Sequence, residues 1–153
     1  MKTFFQLLLV AALGYAFWIY GLPWVQRTVG KERPPVSNLA RGPGGVCVQA
    51  AARASESLYD DMMDKGRTLE EDAEWSQIAS VVDNELFQAR GLCTCDLESC
   101  AAAREVLSTL GSVFDAARSQ SRTSQSVPLD QARRYEQANQ RLWEAYELAK
   151  DGK

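Results

Sequence analysis

Hydrophobic residues are distributed along this chain in more than one regime. Positions 4–24 read FFQLLLVAALGYAFWIYGLPW, an apolar run without a charge. A helix needs roughly 20 such residues to cross a bilayer core of about 30 Å. Trp18, Tyr20 and Trp24 gather at the C-terminal end of the run, where amphipathic rings favour the headgroup level. The pattern predicts a transmembrane anchor over 1–25, with Pro23 as its stop and membrane lipid as its partner. A cleaved signal peptide is the competing reading, because Lys2 precedes the run and Ala12, Gly14 and Ala16 are small. Cleavage after Ala16 would leave a terminus beginning FWIYGLPW, which is too apolar for water, so the anchor is preferred.

Positions 26–45 lose all apolar periodicity and hold three of the five prolines and four glycines. Such a composition predicts a tether, stiffened at Pro34-Pro35, reaching at most about 3.3 Å per residue. Beyond it the period becomes helical. Cys47, Ala51, Ala54, Leu58 and Met62 recur at spacings of three and four and predict a helix over 46–65, with Gly66 as its cap. Thr68 and Glu71 have capping-box spacing and open a second helix striped by Trp75, Ile78, Val82, Leu86 and Ala89, which Gly91 ends. A third helix starts from Asp96 as N-cap and carries Cys100, Ala103, Leu107, Leu110, Phe114 and Ala117. After the polar stretch SQSRTSQS, Pro128 starts a fourth, with Leu129, Ala132, Tyr135, Leu142, Tyr146 and Ala149 facing inward.

No strand pattern and no fixed repeat is present. The expected fold class is all-α: an N-terminal transmembrane helix, then a small three- or four-helix bundle over 46–151, built from a helical hairpin plus two further helices and stapled by disulfides. Many of the inward positions are Ala, so the core is expected to be thin and to benefit from cross-links.

The cysteines meet that need. With Asp96 as N-cap, Cys95 and Cys100 occupy the two positions of a hydrophobic staple, whose side chains meet. Cys47 begins the first helix and Cys93 follows the second, so an antiparallel hairpin brings them together. The favoured pairs are Cys47–Cys93 and Cys95–Cys100; Cys47–Cys95 with Cys93–Cys100 is the main rival. A metal centre is disfavoured, since only the interval from Cys95 to Cys100 comes close to a zinc knuckle. The C-x-C of Cys93 and Cys95 also lacks the C-x-x-C spacing of thioredoxin-like redox centres.

Charge and composition mainly exclude. With 17 Lys+Arg against 20 Asp+Glu and a net charge of -3, nothing draws the chain to a phosphate backbone, so no nucleic-acid partner is expected. Histidine is absent, which removes the commonest general base and the His-dependent nucleophile pairs. With no phosphate loop or nucleophile elbow either, the reading is of a protein that is not an enzyme, without cofactor, metal or small-molecule substrate. Asp60, Asp61 and Asp64 close the first helix and Glu70, Glu71, Asp72 and Glu74 open the second, an acidic cluster around the turn between them that lacks EF-hand spacing and reads as solvated helix ends. Arg134, Trp143 and Tyr146 combine residue types enriched at interfaces and are the candidate contact with a protein partner.

Two signals disagree on orientation. Arg27, Lys31, Arg33 and Arg41 follow the apolar run, which by the positive-inside count puts the C-terminal domain in the cytoplasm. An even number of pairable cysteines suits an oxidising compartment instead. The expectation that follows is an extracytoplasmic domain, periplasmic or extracellular, with a structural or protein-interaction role such as an accessory subunit of a membrane-associated complex. The alternative is a cytoplasm-facing domain whose four cysteines bind zinc or sense redox state.

Overall fold

A computed structural model of the chain describes residues 33–39, 42–65, 72–119 and 129–153. The anchor, tether positions 26–32, 40 and 41, Gly66, the Thr68–Glu71 capping box and Pro128 lie outside the described residues. Among the described residues no helix is long and apolar enough to cross a membrane. Arg33–Lys153 forms a compact all-helical unit.

Four helices build it: α1 (Pro43–Glu56), which continues with wider π-helical winding over Ser57–Lys65, α2 (Asp72–Leu92), α3 (Glu98–Ser119) and α4 (Leu129–Lys150). α1 and α3 form the central pair. α2 and α4 each pack on both of them and hardly on each other, so they lie on opposite sides of that pair. Leu58, Leu86, Leu107, Leu110 and Leu142 are fully buried, and the remaining interior is largely Val and Ala. Small residues at the contacts let the axes approach, while each contributes little apolar area, on the order of 25 cal/mol per Å².

The expected stripes of the first three helices face this core, with Trp75, Ile78 and Ala117 at its half-buried edge. On the fourth, Tyr135, Leu142, Tyr146 and Ala149 face inward as expected, and Ala132 departs. Ala132 is exposed, while Gln131, Ala138, Asn139 and Ala145 are buried beside Tyr135 and Leu142. Tyr135 fixes the buried face: its hydroxyl lies 3.0 Å from Ser55 Oγ and its ring 4.8 Å from that of Tyr59. A buried hydroxyl that must find a partner outweighs the burial of one alanine methyl. In the π-helical turn Met63 is buried along with Met62, as expected when more residues fit in each turn.

The helical domain begins earlier than apolar periodicity implies. Pro34 and Leu39 are buried around a 3₁₀ turn at Val36–Asn38, and Gln49 Nε2 donates to the Val36 carbonyl at 3.1 Å. Residues 33–39 are thus a strap lying along α1, and α1 itself opens at Pro43, where a missing N–H costs nothing.

α4 closes on Gly152, whose φ of 75° turns the chain so that Lys153 N–H reaches the Leu148 carbonyl at 3.0 Å. The Lys153 main-chain oxygen then accepts from Ser99 Oγ at 2.6 Å and from Ser99 N–H at 3.4 Å, in the first turn of α3. Gly44 is what admits this serine. A Cβ there would sit 2.5 Å from Ser99 Oγ and 3.2 Å from Leu97 Cδ1. Gly44→Ala is therefore expected to cost about 1–2 kcal/mol, by turning Ser99 away from Lys153. Urea denaturation measures it, and an unchanged midpoint would show that Ser99 keeps its bond.

Candidate functional site

The cysteines collect at the end of the bundle where α1 and α3 begin and α2 ends. Cys47 bonds Cys93 with a Cα–Cα distance of 4.7 Å, and Cys95 bonds Cys100 at 5.8 Å. These are the pairs that hairpin and staple geometry favour. The cap is displaced by one position from expectation. Ala101 N–H donates to the Leu97 carbonyl at 3.0 Å, so Leu97 takes the N-cap place assigned to Asp96. The spacing between Cys95 and Cys100 still spans the first turn, which is why the bridge survives the shift. Cys47, Cys93 and Cys100 are buried and Cys95 is half-buried.

Arg104 braces the segment between the bridges. Its guanidinium, one turn after Cys100, donates from Nη1 to the carbonyls of Cys93 and Cys95, both at 2.9 Å. Those carbonyls follow the end of α2 and have no helical partner, the place where a cation is most useful. Arg90 does similar work between helices, with Nη2 3.5 Å from the Leu107 carbonyl.

A half-buried polar cluster lies further along α1. Arg33, on the strap, donates from Nη1 and Nη2 to the two oxygens of Asp60 at 3.2 and 3.0 Å, stands 3.8 Å from Glu56 and faces the Tyr59 ring at 5.9 Å. Burial pulls its pKa down, but hydrogen bonds to Asp60 and Tyr135 outweigh that, and the guanidinium is held above its ordinary value. Arg33 Nε is buried without a hydrogen-bond partner among the described residues. Asp60 is therefore spoken for by the strap, and Asp61 accepts from Ser57 Oγ at 3.3 Å. Among the described residues no group of acidic or sulfur side chains is arranged to hold a metal.

Comparison with family models, with curated proteins and with solved structures finds no match for this chain. The residues themselves carry the functional argument.

The candidate interface does not gather into one surface. Trp143 is 36% exposed, but Tyr146 is 8% exposed and meets Trp143 edge-on, with ring centroids 5.8 Å apart. Arg134 is exposed, yet at about 100° per residue it falls on the opposite side of α4 from Trp143. The most exposed large apolar side chain among the described residues is instead Phe87 on α2, at 75%, with Val81 and Leu92 each at 51%. Its sequence signal is its place off the Trp75–Ala89 stripe. Arg33 left no signal of that kind, because a charge in a Pro-rich stretch reads as solvated. A shallow groove of about 320 Å³ between α2 and the end of α3 is lined by Trp75, Ser76, Ala79, Ser80, Asp83 and Arg118. Only Ala79 among these is buried, so no desolvated polar groups converge there as a small-molecule site requires.

Proposed function

We propose that this protein is a single-pass, membrane-anchored helical bundle that works outside the cytoplasm as a structural or protein-interaction module, such as an accessory subunit of a membrane-associated complex. The observation that carries the compartment is the pair of disulfides at one end of the bundle, since such bonds persist where thiols are not kept reduced. The apolar, uncharged run over 4–24 supplies the anchor. Among the described residues, Phe87 and Trp143 are the most exposed aromatic side chains and the candidate contacts with a partner.

Two measurements on protein isolated from cells test the reading. After a carbonate wash the full-length chain stays with the lipid fraction, and its N-terminus still reads Met1 or Lys2. A soluble form starting near Phe17 would show that the apolar run is a cleaved leader. Intact mass with and without reduction, under alkylation, finds two disulfides and no free thiol. Four free thiols with stoichiometric zinc would overturn the extracytoplasmic assignment and establish the cytoplasmic, zinc-binding alternative.

A further inference from the structure

The two disulfides differ in ways that divide labour between them. Cys47–Cys93 is buried on both sides and joins α1 to the end of α2 across 46 residues. Cys95–Cys100 spans only 5 residues; Cys100 is wholly buried, while Cys95 is half-buried on the loop before α3. Cys95 is thus the one cysteine of the four with appreciable exposure, and a thiolate from solution approaches the bridges there.

The surroundings suit exchange at Cys95. Attack on a disulfide sulfur expels its partner as a thiolate, and a better-stabilised leaving thiolate leaves faster. The partner here is Cys100, in the first turn of α3, where the helix dipole offsets part of the cost of forming a thiolate at a buried position. The loop opened by reduction is short, so little chain entropy is released. The opened loop is also still held: Arg104 binds the carbonyls of Cys93 and Cys95 at 2.9 Å, and Cys93 remains tied to Cys47.

We propose that Cys95–Cys100 is a thiol–disulfide exchange site, with Cys95 Sγ as the atom attacked by an external thiolate, while Cys47–Cys93 is a structural cross-link. An incoming thiolate forms a mixed disulfide with Cys95 as the Cys95–Cys100 bond breaks and its electron pair goes to Cys100, which then takes up a proton. A second external thiolate attacks the mixed disulfide, leaving Cys95 and Cys100 as thiols and the two external sulfurs joined. The external thiols are oxidised by two electrons and the bridge is reduced by two. The thiol source is either a small monothiol or a protein dithiol. This inference goes beyond the membrane-anchored reading and does not depend on the anchor.

The test uses the oxidised, purified full-length protein in detergent, exposed in separate arms to reduced glutathione and to a reduced thioredoxin-type protein. Samples are quenched by alkylation over time and peptide-mapped. Cys95 and Cys100 are expected to open at least tenfold faster than Cys47 and Cys93, with a glutathione or protein adduct on Cys95 and alkylated Cys100. Which arm reacts faster identifies the thiol source. Helical circular dichroism should be unchanged at that point, and oxidised glutathione should restore the same pair. Equal rates for the two bridges, earlier opening of Cys47–Cys93, adducts on Cys100, or helix loss accompanying the first reduction would each overturn the proposal. So would resistance of Cys95–Cys100 in both arms.

Discussion

Replacing Cys47 and Cys93 together by Ala is expected to lower stability by about 4 kcal/mol, and replacing Cys95 and Cys100 together by only about 2 kcal/mol. The difference follows from loop length. A bridge spanning 46 residues removes far more freedom from the unfolded chain than one spanning 5, since the loop-closure entropy grows with the logarithm of the span. The interior adds to the first effect, because Cys47 and Cys93 are both buried and each truncation to Ala takes packed sulfur from the core. For a domain of this size the larger loss lowers Tm by on the order of 15 °C. Thermal and urea denaturation of the two double variants, measured by circular dichroism, gives both values. Equal losses would mean that restriction of the unfolded chain is not what these bridges contribute.

Asp60→Ala is expected to have the next largest effect, about 2 kcal/mol. The Arg33 side chain is 18% exposed, and Asp60 accepts from both of its terminal nitrogens. Removing the carboxylate leaves a desolvated cation against Tyr59. Breaking a fully buried pair in this way costs about 3–5 kcal/mol, and the figure falls here because Asp60 is itself 36% exposed. Arg33→Ala should cost less, since the freed carboxylate can turn to water. The folded-state pKa of Arg33 is raised, so its contribution is complete below the ordinary guanidinium pKa and is lost only as pH climbs through the raised value. Through the neutral range the penalty should therefore not vary on account of Arg33. A double-mutant cycle should find the two losses non-additive, and limited proteolysis should cut within 33–39 faster in either variant. Additive losses with an uncut strap would show that Pro34 and Leu39 alone hold the segment.

The Arg33 pair also marks the limit of what could be read from sequence. Cysteine positions, helix stripes and the antiparallel hairpin depend on intervals along one element, so spacing alone could bring Cys47 and Cys93 together. Trp143 and Tyr146 share a helix and the same residue-type signal, yet one lies at the surface and the other is buried. Tyr146 lies on the inward stripe that helical spacing predicts and Trp143 lies off it, so spacing and not residue type separates them.

What the sequence by itself determined was local and periodic: helices where apolar residues recur every three or four positions, and disulfides between residues that helix ends bring close. Tertiary structure decided the rest. It took Arg33, Val36 and Leu39 from a Pro-rich stretch into the domain, by giving them Asp60, Gln49 and the side of α1 as partners. It turned Ala132 outward and gave the inward-facing Tyr135 hydroxyl its partner, because only in the bundle does that hydroxyl meet Ser55. It made Gly44 a fixed requirement through Ser99, which is distant in sequence but only 2.5 Å from where a Cβ would stand. Each of these depends on a group contributed by a distant element, and the free energy of burying a polar atom is set by whether that partner arrives.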